Sequence, residues 1–347
     1  MSDISLIDSN FKVETNLNVE DIQFYNALNA PFQIYGVFYE NGMFRRLPQQ
    51  VAETVSNAVY CLHDNTAGGR VRFKTDSPYV AIYVKMPTIG KMSHFALTGS
   101  AGFDLYSDNN YIGTFVPPYT IEDGYENIIR FNSDEMREIT INFPLYSSVK
   151  ELFIGIKKQS ALFPCQPYRI EKPIVYYGSS ITQGGCASRP GMAYQSIISR
   201  QMDADYINLG FSGSAKAEDA MAEYISGLQM SCFVYDYDHN APSLEHLRNT
   251  HEKMFLKIRQ HHPNTPIVIM SRPKFKLTDH EKMRLEVIET TYDNAVINGD
   301  KNVYFIDGRK LMELAGDQGT VDNCHPTDFG FASMAKCLGD FLEKILK

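Results

Sequence analysis

The stretch Ile174-Val-Tyr-Tyr-Gly-Ser-Ser-Ile-Thr-Gln-Gly184 joins a short apolar run, rich in Val, Ile and Tyr, to a turn of hydroxyl residues. The apolar run predicts a buried strand that ends at Gly178. Open α/β sheets bind ligands beyond the carboxyl ends of their strands, so a serine at this place can present its hydroxyl at the edge of the sheet. Ser180 is therefore a candidate nucleophile.

A second short motif near the other end of the chain complements this serine. In Asp322-Asn-Cys-His-Pro326 a carboxylate stands three residues before a histidine. A hydroxyl is a poor nucleophile at its own pKa, so it needs an imidazole to take its proton and usually a third group to hold that imidazole in the right tautomer. Ser180, His325 and Asp322 are the predicted nucleophile, base and orienting acid.

These motifs resemble those of the SGNH, or GDSL-type, serine hydrolases. Gly178-Ser-Ser-Ile181 is similar to the Gly-Asp-Ser-Leu core of that family, and Asp322, His325 and Pro326 match its last motif, Asp-x-x-His-Pro. The resemblance implies a serine esterase that works through an acyl-enzyme and needs no metal or organic cofactor.

The resemblance also implies an oxyanion hole made of two backbone N–H groups and one side-chain amide. The backbone groups are those of Ser180 and of Gly213, which ends Asn208-Leu-Gly-Phe-Ser-Gly213. The third motif of the family often reads Gly-x-Asn-Asp, whereas this chain has Tyr235-Asp-Tyr-Asp-His-Asn240. The amide is carried over to Asn240, without the glycine or the second acid of that pattern.

Upstream, Gly102-Phe-Asp-Leu-Tyr106 resembles the Gly-x-Asp-Leu-Tyr signature of a β-rich domain that precedes the hydrolase domain in one branch of the family. The layout is similar to that of two-domain bacterial carbohydrate esterases, which remove acetyl groups from sugars. The resemblance thus implies a jelly-roll-like β-sandwich followed by a flavodoxin-like, three-layer SGNH hydrolase domain. Arg189, shortly after the nucleophile turn, either lines the substrate pocket or forms a structural salt bridge.

The periodicity of the chain supports two domains, as does its length of 347 residues. Up to about residue 158, period-two segments such as 79–85 and 138–143 predict a β-sandwich. After a linker at 160–173, five apolar strands alternate with helical segments, which predicts a parallel sheet covered on both faces. We place a β-sandwich domain at 1–165 and an α/β catalytic domain at 166–347. The five strands are expected at 174–177, 205–209, 231–236, 266–270 and 302–306.

The composition limits the partners of the protein. The formal net charge is -8, with 33 basic against 41 acidic residues, which argues against nucleic acid or a membrane surface as a partner. The N-terminal segment Met1-Ser-Asp-Ile-Ser-Leu-Ile-Asp8 lacks the pattern of a secretory signal. We expect a cytoplasmic protein, or a secreted or periplasmic one if a signal has been removed, whose partner is a small-molecule or saccharide ester.

Other interpretations compete with the esterase. A thioesterase or lipase for longer acyl chains would use the same three residues, and a non-catalytic carbohydrate-binding protein would use the β-sandwich alone. A nucleotide site at 178–185 is disfavoured because the phosphate-binding glycine spacings are missing. A metal site at Asp236, Asp238 and His239 is disfavoured because adjacent strand residues point to opposite faces, so we expect polar groups of the surface and of a strand end there. The six cysteines, without C-x-x-C pairs, are expected to be free thiols, and Cys324 a packing residue.

Overall fold

A computed structural model describes residue 17 and residues 19–346. These residues form two compact units. The β-sandwich unit contains the described residues up to Arg45 together with Asp64–Pro167 and Ser188–Gly191, and the α/β unit contains Arg46–His63, Tyr168–Ala187 and the residues from Met192 onward. The main division, after Pro167, lies two residues from the predicted boundary. The segments 46–63 and 188–191, however, belong to the opposite unit from the one in which the predicted domains placed them.

The secondary structure of the described residues comprises seventeen strands and ten α-helices, with a few turns of 3-10 helix. The strands are β1 (Ile22–Asn26), β2 (Gln33–Tyr35), β3 (Phe38–Glu40), β4 (Met43–Arg45), β5 (Arg70–Thr75), β6 (Tyr79–Lys85), β7 (Phe103–Ser107), β8 (Asn110–Phe115), β9 (Gly124–Arg130), β10 (Arg137–Asn142), β11 (Glu151–Lys157), β12 (Leu162–Phe163), β13 (Ile170–Gly178), β14 (Ala204–Gly210), β15 (Cys232–Asp236), β16 (Ile267–Met270) and β17 (Val303–Ile306). The helices are α1 (Gln49–Val55), α2 (Asn57–Tyr60), α3 (Leu97–Ser100), α4 (Ser180–Gln183), α5 (Tyr194–Met202), α6 (Asp219–Ser226), α7 (Leu244–His261), α8 (Asp279–Ile297), α9 (Gly308–Leu311) and α10 (Asp328–Ile345).

Two antiparallel sheets enclose the core of the β-sandwich unit, as predicted. One sheet has the order β1-β11-β6-β9, and the other has the order β12-β5-β10-β7-β8 with β2 beside β5. Alternate residues of each strand face inward, so Ile82 of β6 and Phe73 of β5 are completely buried in one apolar cluster. Part of the predicted linker is strand instead, because Leu162 and Phe163 pair with the edge of β5 and β13 already begins at Ile170.

The α/β unit contains the predicted parallel sheet of five strands, in the order β14-β13-β15-β16-β17. Helices cover both of its faces, which is why its strands are apolar on both sides. On one face Tyr177 belongs to the core that α6, α7 and α8 complete. On the other face Tyr176 packs against Tyr194 of α5, with ring centres 5.6 Å apart. The chain order reverses at β13, whose carboxyl end therefore lies at the switch point where such sheets bind ligands.

The cysteines and the helices bear on disulfide bonding and on membrane insertion. All six cysteines are free. None of the helices that the structure describes combines the length and the apolar composition that crossing a membrane would require.

Candidate active site

The turn after β13 places Ser180 at the carboxyl edge of the parallel sheet. Ser179 caps the short helix α4, and its hydroxyl accepts a hydrogen bond from the N–H of Ile181 at 3.2 Å. Ser180 is the first residue of that helix and is 8% exposed. A side chain at Gly178 would come within 1.9 Å of the carbonyl oxygen of Asp236, so only glycine lets the turn pack against the end of β15.

The three side chains predicted to cooperate form one continuous chain of hydrogen bonds. Ser180 Oγ lies 2.9 Å from His325 Nε2, and His325 Nδ1 lies 2.8 Å from Asp322 Oδ2. Asp322 Oδ1 also accepts the backbone N–H groups of His325, at 2.8 Å, and of Cys324, at 3.1 Å. A hydroxyl, an imidazole and a carboxylate in this order have the arrangement of a serine-hydrolase triad.

The loop that carries the imidazole is tied to its surroundings by backbone bonds. Val321 N–H donates to the carbonyl oxygen of His325 at 2.8 Å, and Thr327, the residue before α10, donates its N–H to Gly319. Although partial burial alone would raise the pKa of Asp322, the bonds donated by His325 and by Cys324 hold that pKa below its ordinary value. Asp322 therefore stays a carboxylate, as an acceptor for the imidazole must.

The predicted oxyanion donors lie on segments that hydrogen bonds join to one another. Gly213 has a φ of +66°, and a side chain there would meet no atom within 4 Å. No described residue accepts the N–H of Gly213. Asn240 Nδ2 donates to the carbonyl oxygen of Phe211 at 2.8 Å, and Ser212 N–H donates to Gln183 Oε1 of α4 at 3.0 Å.

A buried arginine, which the sequence did not predict, supports the segment that leads to Gly213. Arg46 is 1% exposed and donates to the carbonyl oxygens of Gly210, at 2.6 Å, and of Leu62, at 2.9 Å. Its guanidinium also lies over the ring of Phe211, 4.8 Å from the ring centre. Arg46 precedes α1 in the segment 46–63, more than 160 positions from Gly210 and Phe211, and the sequence around it carries no motif.

The acidic residues at the end of β15 are buried, which corrects the expectation that they are polar groups of the surface. Asp238 is 1% exposed and pairs with Arg272 and Arg284. Asp236 is also 1% exposed, and neither of its carboxylate oxygens has a hydrogen-bond partner among the described residues. His239 lies with Nδ1 3.9 Å from the sulfur of Cys324, and burial lowers its pKa to about 4.

Arg189 forms the salt bridge that was one of its two predicted roles. Within the β-sandwich unit its Nη1 lies 3.1 Å from Asp104 Oδ2 and donates to the hydroxyl of Tyr106. The guanidinium also lies 3.8 Å from the centre of the Tyr111 ring. Asp104 and Tyr106 are the acid and the tyrosine of the Gly-x-Asp-Leu-Tyr motif, so this motif holds Arg189 directly.

Sequence profiles of two known families match the two parts of the chain. The profile of the GDSL-like lipase/acylhydrolase family matches residues 171–346. The profile that describes the N-terminus of SGNH-hydrolase-type esterases, characterised by the GxDLY motif, matches residues 22–162. A comparison with curated proteins gave no significant match.

Several solved structures share the fold over nearly the whole chain. A protein from Bacteroides ovatus, described as a GDSL-like lipase, superposes with a TM-score of 0.84 at 29% sequence identity. The salicylyl-acyltransferase SsfX3 of a tetracycline biosynthetic pathway gives 0.77 at 18% identity, and the acetyl xylan esterase Est2A from the rumen bacterium Butyrivibrio proteoclasticus gives 0.61 at 14%. Each match covers 94% of this chain and 98% of the other.

The last two similarities show a common fold alone, because their sequence identities are low. The profile match over residues 171–346 spans more than half of the chain and contains the Ser180, Asp322 and His325 motifs. The chain is a member of the GDSL-like lipase/acylhydrolase family.

Proposed function

We propose that the protein is a serine esterase that removes small acyl groups, above all acetyl groups, from a carbohydrate. The observation that carries the proposal is the unbroken sequence of hydrogen bonds from Ser180 through His325 to Asp322, with distances of 2.9 and 2.8 Å. No residue of this sequence of bonds needs a metal ion or an organic cofactor to perform the reaction.

The first half of the reaction forms an acyl-enzyme. Because the Nδ1 hydrogen of His325 is donated to Asp322, Nε2 is free of a proton and can accept the one from Ser180 Oγ. Oγ then forms a bond to the ester carbonyl carbon. His325, now charged and stabilised by the Asp322 carboxylate, gives its proton to the alcohol oxygen as the ester bond breaks.

The second half of the reaction releases the acyl group. His325 takes a proton from a water molecule, whose oxygen attacks the acyl carbon. It then returns the proton to Ser180 Oγ as the bond between Oγ and the acyl carbon breaks and the free acid leaves. In both halves a negative charge develops on the former carbonyl oxygen. The N–H groups of Ser180 and Gly213 and the amide of Asn240 are its proposed donors, and each donor of this kind is worth about 3 to 4 kcal/mol of the barrier.

The nature of the ester is proposed from the similar structures. These include family two carbohydrate esterases, one of them bound to cellohexaose, and an acetyl xylan esterase. A lipase-like preference for longer acyl chains is the alternative, in line with the description of the Bacteroides ovatus protein. A panel of acetylated mono- and oligosaccharides measured against 4-nitrophenyl esters of increasing chain length separates the two.

The mechanism itself is tested by covalent labelling. An organophosphonate should inactivate the enzyme and add one phosphonyl group to the peptide that contains Ser180, as detected by mass spectrometry. Activity should survive incubation with a metal chelator. Activity that is lost on chelation, together with an unlabelled Ser180 peptide, would contradict the proposal.

A further inference from the structure

The turn that carries Asn240 begins with a buried carboxylate that two arginines share. Asp238 opens the 3-10 turn Asp238–Asn240. Its carboxylate accepts hydrogen bonds from Arg272, at 2.8 and 3.1 Å, and from Nε of Arg284, at 2.7 Å. Although burial by itself would raise the pKa of Asp238, the two arginines hold that pKa well below its ordinary value. The carboxylate is therefore charged and fixed by three charge-assisted bonds.

Arg284 also binds the backbone on both sides of the turn. Its Nη2 donates to the carbonyl oxygen of Asp238 and to that of Ala241, the latter at 3.0 Å. The two carbonyl groups flank His239 and Asn240. A guanidinium is planar and presents its donors in a rigid fork, so it fixes the separation of the two carbonyl groups in a way that a flexible ammonium would not.

The start of α8 explains why Arg284 lies at this place. Thr278 and Glu281 form a capping box that defines the first turn of the helix, and Glu281 also accepts bonds from Arg272 and Lys274, each at 2.9 Å. Residues three apart share one face of a helix, so Arg284 lies beside Glu281, on the side of α8 that faces Arg272 and Asp238. The capping box, Arg272 and Arg284 thus form one network around Asp238.

We infer that Arg284 is a positioning residue that holds the Asn240 amide where the oxyanion develops. This inference rests on the proposed function, in which Asn240 is an oxyanion donor. Such a donor accelerates the reaction only if it is held in place beforehand. One hydrogen of the Asn240 amide is donated to the carbonyl oxygen of Phe211, which orients the side chain. Arg284 holds the backbone from which that side chain extends, through the carbonyl oxygens of Asp238 and Ala241.

A double-mutant cycle with a matched control tests the inference. The variants are Arg284→Met, Asn240→Ala, the two combined, and Arg259→Met. Arg259 is the control because it also pairs with an acid, Asp300, and binds carbonyl oxygens in the α/β unit, but at the far ends of α7 and β17. Turnover of 4-nitrophenyl acetate is measured for each variant well below its own melting temperature.

We expect Asn240→Ala to lower kcat by about 100-fold or more, as the loss of one oxyanion donor does. Arg284→Met should lower kcat by about 10- to 100-fold with KM nearly unchanged, because a displaced donor loses much of its effect. When Asn240 is already Ala, adding Arg284→Met should lower kcat by less than about 3-fold, because the amide that Arg284 positions is gone. A difference of this size is close to the error with which the effects of independent substitutions add. Arg259→Met should keep the parental kcat even if its melting temperature falls by as much as that of Arg284→Met. If Arg284→Met does not fold, Arg284→Lys, which keeps the charge but not the fork, takes its place.

The results distinguish the inference from the proposed function. If Asn240→Ala lowers kcat but Arg284→Met lowers it equally with and without Asn240, the inference is wrong and the proposed function stands. Equal losses of kcat in Arg284→Met and Arg259→Met would also overturn the inference, because they would reflect lower stability. If Asn240→Ala leaves kcat unchanged, the oxyanion role in the proposed function is wrong, and the inference is wrong with it.

Discussion

Arg189 and Asp104 form an ion pair at 3.1 Å in which the carboxylate is completely buried. Asp104 also accepts the N–H of Gly191, at 2.8 Å, and the side-chain amide of Asn142, at 2.7 Å. A side chain at Gly191 would lie 2.5 Å from the Tyr106 ring, so the motif and the segment Ser188–Gly191 fit closely. The acid of the Gly-x-Asp-Leu-Tyr motif, Asp104, therefore holds this segment in place by accepting hydrogen bonds from Arg189 and Gly191.

Replacing Arg189 by Met should lower the free energy of unfolding by about 3 kcal/mol. This is the lower end of the range for breaking a buried ion pair, because Asp104 keeps two other donors. Urea unfolding followed by circular dichroism measures the change. Arg309→Met is the control, because the Arg309 side chain is half-exposed, at 52%, and its pair with Asp307 should contribute less than about 1 kcal/mol. A higher KM for a saccharide ester without loss of stability would instead assign Arg189 to the substrate.

Replacing Ser180 by Ala should lower the turnover of a small activated ester by about 10³-fold or more and leave the fold unchanged. Only the nucleophile is lost, and the site around it stays intact. Ser196→Ala is a suitable control, because Ser196 is a buried serine of the same unit whose hydroxyl bonds Tyr206 at 2.7 Å, away from the triad. Near-parental activity of the Ser180 variant would show that another group attacks the ester.

Replacing His325 by Ala should lower kcat more than replacing Asp322 by Asn. The imidazole moves a proton in both halves of the reaction, whereas the carboxylate orients the ring and stabilises its charge. Asp322 is the more exposed of the two side chains, at 37% against 22%, which further limits its electrostatic effect. Both variants are assayed on 4-nitrophenyl acetate after their folding has been checked. Equal losses in folded variants would contradict this division of roles.

Periodicity in the sequence predicted the sheets well, because it reflects local burial. The predicted strand 79–85 coincides with β6, and the parallel strands lie within a few residues of their expected places. Periodicity did not predict that the segment 46–63, in the N-terminal part of the chain, belongs to the α/β unit. Arg46, at the start of this segment, bonds residues of β14 that are more than 160 positions away and carry no pattern that points back to it.

The grouping of Ser180, His325 and Asp322 was predictable for a different reason, namely that the chemistry proposed for them allows few residue types. A serine after a strand and an acid three residues before a histidine are recognisable wherever the fold brings them. The support for Asn240 was not recognisable in the same way. Arg284 and Arg272 look like ordinary helix and loop charges. Only the packing of α8 and of the segment after β16 beside the end of β15 gives Asp238 two buried cations.

Replacing Asp236 by Asn should raise the stability of the folded protein at pH 8, whereas replacing Asp238 by Asn, two residues away, should lower it. Burial, and next the charge of Asp238, raises the pKa of Asp236 well above its ordinary value. A raised pKa in the folded state means proton uptake on folding, so stability falls as the pH rises above about 4. Asp236→Asn should therefore be more stable than the parent at pH 8 and lose this advantage at pH 3.

The matched variant is Asp238→Asn, which should be less stable than the parent at pH 8. Its lowered pKa means that the folded state favours the charged form, which the two arginines need. Urea unfolding at both pH values gives the four differences. A loss of stability in Asp236→Asn at pH 8 would mean that this carboxylate is ionised and paired in the folded protein.

The imidazole of His251 should make the stability of the protein depend on pH below neutrality. His251 lies in α7, stacked on the ring of Tyr235 with centres 4.6 Å apart, and its Nδ1 lies 2.8 Å from Thr291 Oγ1. Burial lowers its pKa from 6.5 to about 3. The unfolded chain therefore binds a proton below about pH 6.5, whereas the folded protein does not until about pH 3. The contribution of the neutral His251 to the free energy of unfolding is fully present above pH 6.5. It is lost as the pH falls from about 6.5 to about 3, by up to about 1.4 kcal/mol per pH unit.

His251→Phe tests this dependence, because phenylalanine keeps the aromatic packing and removes the titrating ring. The free energy of unfolding is measured in urea at several pH values between 7 and 4. The variant is expected to lose the bond to Thr291, at a cost of about 1 kcal/mol at all pH values. Its stability should fall less steeply towards acid than that of the parent, by up to about 1.4 kcal/mol per pH unit. Parallel curves for the two proteins would mean that His251 carries a proton in the folded state.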